Sequence, residues 1–579
     1  MNKNTIWAIV LSSAVVIVSM AIQTRLFPSN RVETENFSET VQSDDENTVQ
    51  KEEKKILIAE NETNNSLKEE NFIINTNKAE IIFTNKGGDI ISYKLKDEKL
   101  KDFDTGEGVQ MVDNVSEINR ACSLSFGGVE EPIINDFFNY KKIDENTILF
   151  TKKFKYENKD GTESELILGK KYTFSPDEYM FKLEVLVHGS DLKNVVYTLR
   201  TSPQIGPHFD SKLNRYENRQ FVSFNGSKTK KIIISSKANQ LKNYEKEYEW
   251  NGIAGKYFIE LVRPENPSSM DSSYYSTQIT ANSYADAQAI LVRKPFSKED
   301  VNDTYYVYYG PRNEKELKIY NVEEHNDWKV SNYKLNYSMQ NSSWLGWLET
   351  ILKWILELLN KFIRNWGVSI IVMTILIKAL LFPLTKKQSL STLKMQDIQP
   401  KMQDIQKKYA DNPKKQQEEM AKLYKTAGYN PMSGCLPLIL QFLLLWAMYN
   451  LFNNYFEFRG ASFIPGWIPD LSVGDSLHTF RKNIPFFGNQ LRILPFIYLI
   501  VQLVSGKVTG SNGAATSAQT KTQMNLMMYG MPIMFFFIFY NAPSGLLLYW
   551  TVSSLFQIFQ QIFINNMMKK KRAEKALKK

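Results

Sequence analysis

The strongest candidate for a functional residue is Lys378. It is the only charged residue between Arg364 and Lys386, in an apolar stretch long enough for a transmembrane helix. A lysine at mid-membrane costs about 2.5–3.5 kcal/mol on insertion scales, so such a residue is a candidate for function by default. The alternative is that its long side chain only reaches the headgroups. Lys386 is roughly 12 Å further along a helix, which favours a position for Lys378 inside the membrane.

Polar residues in this and other apolar stretches could line a groove around that cation. Thr374 lies one helical turn from Lys378 on the same face. Others are Gln441, Asn450, Tyr498, Gln502, Trp550, Ser553, Ser554, Gln557 and Gln560. Singly, such groups are ordinary in helix packing. Together with a buried cation they predict a wet, positively charged groove, whose candidate contact residues are Lys378, Thr374, Gln441, Trp550, Ser553 and Gln557.

A groove of this kind would help a hydrophilic segment to cross lipid, where its backbone and charges otherwise lack partners. The cation would attract an acidic or polar segment of a client protein, and the apolar helix of the client would then enter lipid along the flank. This process needs no covalent chemistry. The sequence has no phosphate-binding glycine loop, nucleophile elbow or metal-ligand spacing, so we expect no catalytic residue, no metal site and no cofactor.

Six predicted transmembrane helices must position the groove. Uncharged stretches of sufficient length place them at residues 1–27, 365–385, 436–452, 486–504, 524–540 and 544–564. The fourth must extend back past Arg492, because Ile493–Val504 is short. Proline and glycine within Asn541–Gly545 favour a tight turn between the last two. The first could instead be a signal peptide cleaved near Ser19–Ala21.

Lysine and arginine counts predict the orientation of these helices. Loop 386–430 has ten lysines and five acidic residues, loop 505–523 has two lysines and no acid, and tail 565–579 is strongly basic. Loop 453–485 is nearly neutral, which predicts both termini in the cytoplasm.

Loop 386–430 is also predicted to be an antiparallel helical hairpin broken at Ala410–Pro413. It could dock on anionic lipid or ribosomal RNA through Lys401, Lys407, Lys408, Lys414 and Lys415, and the tail through Lys569, Lys570, Lys571 and Arg572. The alternative is that these charges only set the topology.

A large polar region lies between the first two spans. Residues 28–71 are predicted to be an acidic flexible linker, and residues 72–335 an all-β sandwich because short alternating strands such as Ala79–Thr84 and Asp89–Leu95 recur. A concave sandwich could bind sugar or peptide, but we favour a spacer or docking platform. Residues 340–363 have tryptophans and leucines at helical spacing and predict an interfacial amphipathic helix. A seventh span is disfavoured there by four charges.

Several segments together resemble the YidC family of membrane protein insertases. They are WGVSIIVMTILIKALLFPLTKKQ at Trp366–Gln388, Ile398–Lys408, YNPMSGCLPLILQ at Tyr429–Gln441, NAPSGLLLYW at Asn541–Trp550, and the outer segments Trp250–Gly252, Gly255–Phe258 and Tyr309–Pro311. The resemblance covers most of the chain outside the linker. It implies an insertase and chaperone for nascent membrane proteins in a bacterial inner membrane, with five core spans and the β-domain in the periplasm.

The resemblance also implies action alone or beside the Sec translocon, with the groove open to cytoplasm and lipid, and we expect a monomer. The groove cation of the family is typically arginine, and the matching residue here is Lys378, which keeps the charge but lacks the forked donor geometry. Client-contacting positions of the family map onto Thr374 and Trp550, the latter commonly tyrosine.

The main competing hypothesis is a transporter or channel, which often has internal repeats and helices broken at mid-membrane; we find no repeat. A ligand-binding module with a membrane anchor would need one span rather than six.

Overall fold

The computed structural model describes two units of the chain, a β-rich unit that ends at residue 340 and a helical unit that follows it. The described residues are 56–57, 68–97, 100–102, 106–157, 162–189, 192, 195–207, 217, 219–234, 241–244, 248–276, 287–296, 300–339, 345–428, 431–484, 487–510 and 526–577. The predicted first span, most of the predicted linker and most of loop 505–523 lie outside these residues.

The described residues of the β-rich unit form eighteen strands. They are β1 Ile56–Leu57, β2 Asn71–Asn75, β3 Ala79–Thr84, β4 Asp89–Leu95, β5 Ser123–Phe126, β6 Asn139–Asp144, β7 Thr147–Glu157, β8 Glu163–Phe174, β9 Met180–Gly189, β10 Tyr197–Arg200, β11 Gln220–Phe224, β12 Thr229–Ile233, β13 Leu241–Tyr244, β14 Trp250–Ala254, β15 Phe258–Pro264, β16 Met270–Ser276, β17 Gln288–Arg293 and β18 Asp300–Pro311. A short helix α1 (Glu314–Lys318) follows.

The strands form two large antiparallel sheets and one small sheet. The ten-stranded sheet has the order β1-β7-β8-β9-β18-β15-β14-β11-β12, with β6 also paired to β7. The five-stranded sheet has the order β13-β16-β17-β10-β5, and β2-β3-β4 form the third. The two large sheets meet at residues such as Phe221 and Tyr275, whose rings stack 5.2 Å apart. The unit is therefore sheet-rich, as predicted.

The helical unit contains eight described helices and one β-hairpin. The helices are α2 Gly346–Ile363, α3 Trp366–Leu380, α4 Phe382–Lys408, α5 Pro413–Thr426, α6 Pro431–Asn454, α7 Leu494–Gly510, α8 Met531–Phe539 and α9 Ser544–Leu577, with a π-helical turn at Leu526–Gly530 before α8. The hairpin pairs β19 (His478–Ile484) with β20 (Gly488–Leu491). In the described part of the chain, only Ser544–Lys570 is by itself long and apolar enough to cross a membrane. The bent pair Trp366–Leu380 and Phe382–Ser391 would add a second span.

The predicted fourth helix begins later than expected. The prediction extended it back past Arg492 to residue 486, but β20 occupies Gly488–Leu491 and α7 starts at Leu494. The Asp475 carboxylate accepts the backbone N–H groups of Ile493 and Leu494 at 2.7 and 2.9 Å. Since free N–H groups mark a helix start, this distant carboxylate sets where α7 begins.

Other predicted boundaries also differ. Ile56 and Leu57, in the predicted flexible linker, pair with Tyr156 and Lys155 of β7. The predicted second span, residues 365–385, bends by 56° after Leu380, because a proline follows at position 383 and cannot donate a backbone hydrogen bond. The predicted tail, residues 565–579, continues α9 as helix to Leu577.

A buried ionic cluster joins the small sheet to the ten-stranded sheet. The Asp89 carboxylate at the start of β4 accepts a hydrogen bond from Arg120 Nε at 2.8 Å and forms an ion pair with Lys170 of β8. Lys170 Nζ also donates to the Gly87 carbonyl at 3.0 Å. All three charged side chains are almost completely buried, so each depends on the others for its compensation.

A second buried carboxyl crosses between the two large sheets. Glu260 on β15 is fully buried, and it accepts hydrogen bonds from Thr201 Oγ1 at 2.6 Å and from the Ser202 N–H at 2.9 Å, just after β10. Burial raises the pKa of the Glu260 carboxyl to about 8, although both donors oppose that shift.

We expect Asp89→Ala to destabilise the β-rich unit by roughly 3–5 kcal/mol, because it leaves two buried cations without their carboxylate. Thermal melting of the purified full-length protein, followed by the circular dichroism of its β-structure, would measure the loss. Glu107→Ala is the control, since it removes an ion pair to Lys94 at the exposed surface and should leave the melting curve unchanged. Equal melting of the Asp89 variant and the wild type would refute the role of the cluster.

We also expect the β-rich unit to lose stability as pH rises from about 4.5 to about 8. In this window the unfolded chain has released the Glu260 proton and the folded unit retains it, so the stabilisation is complete below the unfolded pKa and is lost as pH rises through the folded value. Melting curves across this range would measure the decline. Glu260→Gln does not titrate and should flatten it; an unaltered slope in that variant would assign the pH dependence to other groups.

Candidate functional site

Lys378 lies in the last turn of α3, on the side that faces other helices. The start of α3 is set by Asn365, whose side chain accepts the Val368 N–H at 3.0 Å. Leu376 and Leu380 are 52% and 80% exposed, whereas Lys378 is only 8% exposed. No acidic side chain pairs with Lys378 in the described part of the chain. The Lys378 side chain is therefore buried among other helices and does not lie along the exposed outer surface of α3.

The helix α9 runs beside α3 and carries most of the other predicted contact residues. Ile370 of α3 lies beside Gly545, with its Cδ1 atom 3.6 Å from where a Cβ on that glycine would lie. Further along both helices, Gln560 Nε2 donates to the Lys378 carbonyl at 3.2 Å. Thr374 and Trp550 lie between these two contacts along their respective helices. Thr374 is fully buried.

The hydroxyl proton of Thr374 is used within α3, where Oγ1 donates to the Ile370 carbonyl at 2.6 Å. Its oxygen can still accept from a bound group, because a hydroxyl has one proton and two lone pairs.

Trp550 packs towards α7 and α8. Its ring lies 4.5 Å from Phe539 and 6.0 Å from Tyr498, and its Nε1 atom is buried with no hydrogen-bond partner among the described residues. Ser553 and Gln557 follow at positions that share a helix face with Trp550, and both are half-buried. The structure thus places Trp550, Ser553 and Gln557 along one side of α9, but records no direct contact between Trp550 and Lys378.

Of the two polar residues of α6 that could line the groove, only Asn450 has a described side chain. The Gln441 side chain lies outside the described residues. Asn450 Nδ2 instead donates to Glu349 Oε1 of α2 at 3.0 Å, and Tyr455 donates to Glu357 Oε1 at 2.9 Å. The acidic side of α2 therefore packs on α6, while apolar residues of α2 such as Trp347 and Trp354 are more than 60% exposed.

Sequence reasoning missed the role of the loop between α6 and α7. Atoms of this loop accept hydrogen bonds from the free backbone N–H groups at the starts of two helices, α7 and α9. Asp475 caps α7, and the Ser544 and Gly545 N–H groups at the start of α9 donate to the Val473 and Leu471 carbonyls at 2.7 and 2.9 Å. No local sequence pattern connects Asp475 with Leu494, nineteen positions later. The Gln560 bond to Lys378 was also missed, although the nearby proline at 383 is a signal that backbone acceptors there lack their usual donors.

The predicted docking lysines are solvent-accessible. Lys401, Lys407, Lys408, Lys414 and Lys415 are all exposed on α4 and α5, which form a hairpin with an open groove of about 350 Å³ between its helices. Lys408 and Lys415 each lie 5.6 Å from the Tyr409 ring. On α9, Lys569 and Lys570 are exposed, and the side chains of Lys571 and Arg572 lie outside the described residues.

Comparisons with known proteins match both units. The family described as 60Kd inner membrane protein matches residues 358–572, and the YidC periplasmic domain family matches residues 72–358. The membrane protein insertase YidC of Treponema denticola is 40% identical over 98% of this chain and 100% of its own length. That of Treponema pallidum is 35% identical, with 99% and 100% covered. A solved structure of an active YidC insertase with its first transmembrane domain resolved is similar over 95% of this chain and 98% of that chain, at 19% identity and a TM-score of 0.34.

Proposed function

This chain belongs to the YidC family of membrane protein insertases, and we propose that Lys378 is the cation of an intramembrane groove that receives the hydrophilic segments of its clients. The observation that carries this proposal is the burial of an unpaired lysine on the protein-facing side of α3. A charge in such a place is retained at a cost of about 2.5–3.5 kcal/mol, which favours a role in binding over a role in stability.

The proposed groove lies between α3, α6, α7 and α9, with Thr374, Gln441, Trp550, Ser553 and Gln557 as further client contacts. The free Nε1 donor of Trp550 supports this assignment, because a buried donor without a partner is costly unless a bound group completes it. Acidic side chains or backbone carbonyls of a client are the acceptors that Lys378 and Trp550 would bind. The apolar client helix would then leave sideways into lipid, and no covalent bond changes.

We propose a topology of six spans with both termini in the cytoplasm and the β-rich unit in the periplasm. The lysine-rich loops on one side support this orientation. Five spans, formed by α3, α6, α7, α8 and α9, would build the core that holds the groove. The outward tryptophans of α2 support its placement at a membrane interface, where their rings suit the headgroup level.

The basic hairpin and tail are proposed to recruit the translating ribosome and anionic lipid. Exposure of Lys401, Lys407, Lys408, Lys414 and Lys415 supports docking by the hairpin, since phosphate groups of lipid or RNA bind such clusters electrostatically. The continuation of α9 to Leu577 would present the tail lysines on a helix rather than on a loose chain. We propose that the protein acts as a monomer, alone or beside the Sec translocon.

The deciding experiment is insertion of a newly synthesised single-span client into liposomes with and without the purified protein, scored by protease protection. Protein-dependent protection in the absence of a translocon supports insertion by this chain alone. Equal protection with and without correctly oriented protein would contradict it, and addition of the Sec translocon to the same vesicles would then show whether the two act together.

We expect Lys378→Ala to reduce insertion of clients with an acidic translocated segment about tenfold, which corresponds to about 1.4 kcal/mol. Lys378→Arg, the matched control, keeps the charge and should retain most of the activity. The same liposome assay measures both variants. Normal insertion of acidic clients by the alanine variant would show that the groove does not depend on this cation.

Removal of residues 569–579 should weaken binding of empty ribosomes and make the remaining binding less sensitive to salt. Each phosphate contact that is lost reduces the slope of log affinity against log salt concentration. Cosedimentation of ribosomes with vesicles at several salt concentrations measures the slope. Identical curves for the truncated and full-length proteins would argue against the tail as a ribosome-binding element.

A further inference from the structure

The break between α3 and α4 leaves backbone acceptors next to the proposed groove. The axis bends by 56° between Leu380 and Phe382. The Leu381 N–H donates back to the Ile377 and Ala379 carbonyls, and Pro383 has no N–H to offer to the preceding turn. In the last turn of α3 the regular pattern of backbone donors therefore ends, and Lys378 belongs to that turn.

Gln560 of α9 supplies a side-chain donor at this point. It is 6% exposed, and its Nε2 atom donates to the Lys378 carbonyl at 3.2 Å. One turn further along α9, the Phe563 ring lies 6.0 Å from that of Phe382, the first residue of α4. Helix α9 thus contacts the chain on both sides of the break. The Gln560 side-chain amide makes a hydrogen bond to α3 before the break, and the Phe563 ring contacts α4 after it.

We propose that Gln560 is a positioning residue, which holds the last turn of α3 across the bend and thereby fixes where the Lys378 ammonium group lies in the groove. The inference rests on the proposed function of Lys378. The ammonium and the carbonyl belong to the same residue, so a shift of the carbonyl moves the base of the side chain. A buried carbonyl that loses its donor also favours rearrangement of its turn, because an unsatisfied acceptor away from water is destabilising.

The test uses Gln560→Met in the full-length protein, which removes the amide and nearly preserves the side-chain length. Two clients are compared that differ only in an acidic or an uncharged translocated segment. We expect a severalfold loss of insertion for the acidic client and little change for the uncharged one. Gln561→Met is the matched control, because Gln561 contacts the Ser389 side chain and not the backbone of Lys378, and it should leave the ratio between clients unchanged.

The double variant Lys378→Ala with Gln560→Met separates positioning from general stability. If Gln560 acts through Lys378, the double variant inserts the acidic client as well as Lys378→Ala alone does. A further loss in the double variant, or an unchanged client ratio in Gln560→Met, would overturn the inference. If Lys378→Ala itself inserts the acidic client normally, it is the proposed function that fails.

Pro383→Ala provides a second route if Gln560→Met does not accumulate in the membrane. It restores an N–H at the break and favours a straighter helix, so it should reproduce the selective loss for the acidic client without altering Gln560. Wild-type behaviour of Pro383→Ala with both clients would show that the geometry of the break does not control the cation.

Discussion

Polar groups that are removed from water must find partners inside the protein, and most features of the helical unit follow from this constraint. Asp475 accepts the free N–H groups at the start of α7, and loop carbonyls accept those at the start of α9. Glu349 is matched by Asn450, and Gln502 by Ser554 at 3.0 Å. Against this background Lys378 differs, because no carboxylate in the described part of the chain compensates it. The Lys378 ammonium and the Trp550 Nε1 group are thus both without a partner among the described residues.

The β-rich unit meets the same requirement with charges of its own. Asp89 is shared by Arg120 and Lys170, so two cations are compensated by one carboxylate and by backbone carbonyls. Glu260 is instead held as a neutral acid over much of the physiological range, because its pKa is raised to about 8. Both groups join separate sheets, which suggests that they specify how the sheets pack more than they add to stability.

Local patterns predicted the parts of the fold that local interactions determine. Strands β3 and β4 have the bounds expected from alternation of apolar residues. In α5, the structure shows Asn412 as the cap and Pro413 as the first helical residue. The beginning of α7 could not be predicted, because its cap is nineteen positions away. Asn450 was expected in the groove but binds Glu349, since the apolar pattern of a helix does not show which neighbour its polar residues meet. The sequence indicated Lys378 and Trp550 as candidates because each is a polar residue within an apolar stretch. It could not show that Trp550 contacts Tyr498 of α7 and Phe539 of α8, because those contacts depend on how the helices pack.

A lysine at position 378 makes the surroundings of this cation more important than those of an arginine would be. Arginine has a planar fork of donors that can bind a carboxylate in a fixed orientation, whereas a lysine ammonium is a point charge on a flexible stem. The direction of that charge must then come from the backbone that carries the stem and from the packing around it. In this chain the last turn of α3 is bent away from α4, and it is held by a side chain of α9. In the proposed groove, helix α9 forms one wall and also holds the carbonyl of Lys378, so a movement of α9 away from α3 would also move the cation that a client meets.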